Sequence, residues 1–227
     1  MERQNQSRIS IQVSLSGYSF AIEEGSRAWA SGWMGAERLF TTPEFQKRYD
    51  EVEISLFTPK CTLVPEPFFS PSTARQILSE VSPLRQTDQV AYVSIPSFAS
   101  VLVYSPSIDE SLSRVIAQTV LRSDGTAAEV LPEMFFLLRD LPDCPDYNRI
   151  VCSFRDGYLY LVIAQGKSLL LANVYEAADF TTAEYFILLA LKKLQLNPEI
   201  STITLRTPVS DEEELSLYRY FKSVDKL

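Results

Sequence analysis

Several residues in this 227-residue chain have types and spacings that bear on chemistry. Asp156, in Arg155-Asp156-Gly157, is an acid at the end of an alternating apolar run, where a carboxylate could hold a metal ion; before glycine it also suits a plain turn. Arg155 beside it is placed to meet a phosphate or only solvent. Lys60 lies between two extended segments, long enough to reach a cleft or to guard a strand edge. Glu176, Asp179 and Glu184 put three carboxylates within nine residues, enough to gather round a cation, although acids there also suit the start of a helix. Trp29, Trp33 and Phe40 would make a partner-binding patch if exposed and loop anchors if turned inward. In each case the plainer, structural reading is preferred.

What is missing narrows the chemistry further. The chain has no histidine, so Ser-His and Cys-His nucleophile pairs, imidazole bases and histidine metal sites are excluded. Seven glycines, with no G-x-G, leave no Gly-rich loop whose free N–H groups could approach a triphosphate. We therefore expect no catalytic residue, no metal and no cofactor. A net charge of −8 and a pI near 4.7 oppose nucleic-acid binding, which needs a basic surface. Cys61, Cys144 and Cys152 fit no metal spacing and read as structural thiols of a reducing cytoplasm. The polar start, Met-Glu-Arg-Gln-Asn-Gln-Ser-Arg, lacks the apolar stretch of a signal peptide, and no run reaches a membrane span.

The elements that would position these residues repeat. Arg8–Ile22 and Arg149–Ile163 are each an alternating apolar run, a turn at a Gly-Tyr pair (Gly17-Tyr18, Gly157-Tyr158) and a second alternating run, which predicts two β-hairpins. Asp156-Gly157 suits a type I′ turn. The stretch 25–49 reads as irregular, and Glu51–Phe57 as the third strand of the first half. A helix is expected from Ser70-Pro71 to about Glu80, strands over Gln89–Ile95 and Ala99–Ser105, and a helix from Ile108 opened by a Ser107/Glu110 capping box. Thr119–Arg122 reads as a short strand, and Ala127–Leu141 as helical with a break at Pro132. After the Leu141–Asn148 boundary come the second hairpin, a strand over Ser168–Tyr175, a helix to about Gln195 opened by a Thr181/Glu184 capping box, a strand over Ser201–Arg206 and a helix over Asp211–Ser223.

This order predicts a duplicated α/β, ribonuclease-H-like fold of two mixed sheets flanked by helices. Residues 1–144 would form the first half, with an inserted segment 25–49, and 145–227 a shorter second half. The second sheet would lack its last strand. Its open edge would be blocked by Ser223–Leu227 or used for self-association.

Thr58-Pro59-Lys60-Cys61-Thr62-Leu63-Val64-Pro65 with Phe68-Phe69, Lys167–Asn173 with Phe180, Tyr185 and Phe186, and the Gly17 hairpin make the chain resemble a family of uncharacterised Bacteroidetes proteins similar in fold to the actin-like ATPases. The resemblance covers nearly the full chain. Actin-like ATPases place an aspartate at the end of the first strand of each half, to hold Mg²⁺ or activate water, and small residues beyond it wrap phosphate. On that pattern the aspartates fall near Ser14 and Ser153, and the glycines near Ser16 and Arg155. The resemblance thus implies the fold without its ATP chemistry: a scaffold or interaction module with an unidentified protein partner. A divergent nucleotide-binding ATPase is the alternative. Gene proximity in the family to an RNA methyltransferase suggests a third, a partner of an RNA-modifying enzyme.

Overall fold

A computed structural model of the chain describes residues 6–107 and 110–227. In chain order it contains β1 (Ser7–Ser14), β2 (Gly17–Glu24), β3 (Arg27–Ala30), β4 (Arg48–Tyr49), β5 (Glu51–Leu56), β6 (Cys61–Pro65), α1 (Ala74–Val81), β7 (Ala91–Ile95) and β8 (Ser100–Tyr104). There follow α2 (Glu110–Thr119), β9 (Leu121–Arg122), β10 (Val130–Pro132), α3 (Glu133–Asp140), β11 (Asn148–Arg155), β12 (Tyr158–Gln165), β13 (Ser168–Glu176), α4 (Phe180–Lys193), β14 (Thr202–Leu205), α5 (Asp211–Leu217) and β15 (Ser223–Lys226). Contacts gather these into two compact units, Met1–Thr58 with Pro106–Glu133, and Pro59–Ser105 with Met134–Leu227.

The first unit holds a five-stranded sheet in the order β10-β5-β1-β2-β3. Period-two alternation sends Ile9, Ile11 and Val13 to one face, where they pack with Ile54, Ile116 and Phe45. Gln12 and Ser14 alternate to the other face. The second unit holds a sheet of equivalent order, β13-β12-β11-β14-β15, with antiparallel pairing in the hairpin and parallel pairing to the fourth and fifth strands, as in the first. Its core joins Ile150, Cys152, Leu161 and Ile203 to Ile187 and Leu191 of α4. The same unit carries a small sheet, β6-β8-β7, whose Val64, Val101 and Val103 bury Leu78 of α1.

Both expected hairpins form, and Asp156 and Gly157 take φ of 50° and 78°, as a type I′ turn requires. Four element assignments are corrected. The third strand of the first sheet is β3, from the stretch read as irregular, and Glu51–Leu56 is the fourth. All four β3 residues are exposed, so no buried face left an alternating pattern to read. Residues 130–132 form an edge strand rather than helix; Pro132 is tolerated there because only one side of an edge strand pairs. Asp179 caps α4 in place of Thr181, accepting the Thr182 N–H at 2.7 Å. The last helix stops at Leu217, and Ser223–Lys226 become the fifth strand expected to be missing, paired with β14. The start of the helix expected from Ile108 lies outside the described residues, and its remainder is α2.

Candidate functional site

At the first hairpin end, Ser14 is buried and pairs with Gly17 across a turn formed by Leu15 and Ser16. Ser16 donates its N–H to the Ser14 hydroxyl oxygen at 3.3 Å, and the two hydroxyls lie 3.1 Å apart. The Ser16 amide of the turn is therefore engaged locally. Gly17 has φ +133°, and the Met34 carbonyl oxygen occupies the place a Cβ would take, 2.0 Å from it. That approach follows from Tyr18, which exchanges backbone hydrogen bonds of 2.9 and 2.8 Å with Met34. This glycine admits the protein's own backbone.

At the second hairpin end, Ser153 is fully buried opposite Tyr160. Arg155 and Asp156 form an ion pair, Nε to Oδ1, at 3.4 Å. Burial holds the Arg155 guanidinium below its ordinary value, and the adjacent carboxylate opposes that shift.

Lys60 lies just before β6 in the second unit and donates to Asp88 Oδ2 at 2.6 Å. The Arg85 N–H reaches the same oxygen at 3.0 Å, and Arg75 donates to the carbonyls of Asp88 and Arg85. Lys60 first, then the Arg85 amide, holds the Asp88 carboxyl below the usual range. The network pins the segment between α1 and β7.

The three carboxylates at and after the end of β13 separate, Glu176 closing the strand itself. Asp179 caps α4, while Glu184 is buried and accepts from the Ser216 hydroxyl at 3.1 Å. Among the described residues no three His, Cys, Asp or Glu side chains gather as a metal site. The aromatic trio divides likewise. Trp29, 46% exposed, sets its ring edge-to-face with Phe20; Trp33 is half-buried against Phe57; and Phe40 is 74% exposed.

Two clusters escaped the sequence reading. In the first unit Ser19, Gln12 and Ser55 lie side by side across β2, β1 and β5, all buried. The Ser55 hydroxyl donates to Glu133, a fully buried carboxylate that opens α3. A charge directly after the Pro132 break was the available signal. In the second unit the Arg206 guanidinium lies 4.6 Å over the Phe136 ring and 3.3 Å from Asp140 Oδ2. A charge at the end of the apolar β14 run marked it. These groups form a buried hydrogen-bonding row, in which the Ser55 hydroxyl meets the Glu133 carboxylate, and a cation–π contact.

Among the described residues no helix is long and apolar enough to cross a membrane. Comparison with solved structures matches a Bacteroides thetaiotaomicron protein of actin-like ATPase fold and unknown function, at TM-score 0.68 and 18% identity over 99% of this chain and 92% of that one. The PilM-PilN type IV pilus biogenesis complex matches at TM-score 0.54 and 12% identity, over 100% of this chain and 89% of that one. At these identities the likeness establishes the fold, which is actin-like. A comparison with curated proteins finds no match. Residues 35–224 match the family described as "Protein of unknown function (DUF3822)", and the chain belongs to that family.

Proposed function

We propose that this protein is an interaction module, a scaffold on an actin-like fold whose hairpins do not serve as phosphate cradles. The observation that carries the reading is at Gly17: the Met34 carbonyl fills its open side, and the neighbouring Ser16 amide is satisfied by Ser14. An anion site needs free N–H groups and close access. The partner is a protein; the PilM-PilN match supports use of this fold in protein assembly. Free Cys61, Cys144 and Cys152 support a reducing compartment, the cytoplasm. The equal strand order of the two large sheets supports a duplicated unit, each copy led by one of the hairpins.

Thermal denaturation with Mg·ATP tests this. A nucleotide at a hundred times its Kd would add about 2.7 kcal/mol and several degrees to Tm. We expect no shift and no hydrolysis. A saturable shift with turnover that Asp156→Ala abolishes would overturn the reading. The second reading, a divergent nucleotide-binding ATPase, is favoured by the buried Glu133 carboxylate; turnover lost in Glu133→Gln would establish it.

A further inference from the structure

We draw no further inference here: the strongest candidate, the open cavity of the second unit lined by Leu63, Phe98, Lys167 and Leu169 between the β7–β8 turn and the start of β13, is a largely apolar face, and nothing in the structure shows what covers it.

Discussion

The Met34 carbonyl oxygen stands 2.0 Å from where a Cβ on Gly17 would be, and Gly17 itself holds φ +133°. Both facts forbid a side chain, the first by overlap with backbone that cannot swing aside, the second by conformation. Gly17→Ala should therefore destabilise by about 3 kcal/mol or more, lowering Tm by about 6–12 °C. Gly32, with nothing within 4 Å of a built Cβ, is the control. Gly32→Ala should leave Tm unchanged or slightly raised. Equal behaviour of the two variants would contradict the contact.

The start of α4 gives a second test. Asp179 accepts the Thr182 N–H, which lowers its carboxyl pKa, and Thr181 lies two positions too far along the chain to cap. Asp179→Ala should lower Tm by about 2–4 °C, and Thr181→Ala should not. The reverse ranking would restore the Thr181 capping box.

Acid should unfold the protein through a small set of aspartates. Hydrogen bonds hold the carboxyls of Asp50, Asp88, Asp124 and Asp179 below their usual range. Their stabilisation is complete above the unfolded value near ~3.9 and is lost as pH falls through the folded values, because the unfolded chain then binds more protons. Denaturant midpoints should fall steeply below about pH 4. Asp88→Asn should flatten that slope, since Lys60 no longer favours an ionised partner; an unchanged slope would show that Asp88 does not contribute.

Alkali should act through the thiols. Burial pushes Cys152 up to about 12 and raises Cys144 as well. The unfolded thiols ionise near ~8.5, so stability should decline as pH rises past that point. In the native protein at pH 8, Cys144 and Cys152 should resist a chromogenic disulfide reagent until denaturant is added. Rapid modification of Cys152 without denaturant would refute its burial.

The first hairpin was legible because Ile9, Ile11 and Val13 alternate with polar Ser10, Gln12 and Ser14, and the second, buried on both faces through Ile150, Val151 and Cys152, because apolar runs flank the Asp156-Gly157 turn. β3 and β15 were missed for the opposite reason. Their residues are mostly exposed, and their partners are fixed by the strands beside them rather than by their own pattern. Capping was half-legible: the Ser210/Glu213 box of α5 forms, after a start marked only by its acids. At the candidate sites, residue type alone suggested chemistry for Lys60 and Arg155, but their partners come from packing. Asp88 lies 28 residues from Lys60, and no local spacing announces that pair. Glu133 and Ser55, 78 residues apart, were illegible for the same reason.

That last separation bears on how the molecule folds. The chain enters the second unit at Pro59, returns to the first at Pro106 and leaves it again at Met134. The fourth strand of the first sheet must therefore wait for β10 until a whole stretch belonging to the other unit has been made. Each such wait closes a long loop before any contact rewards it, so relaxation kinetics should be slow and the two units should not refold independently. A cut in the polypeptide near Ser105 would leave each unit with strands on both sides of the break, and separating the fragments would dismantle both sheets' supports rather than release one intact half.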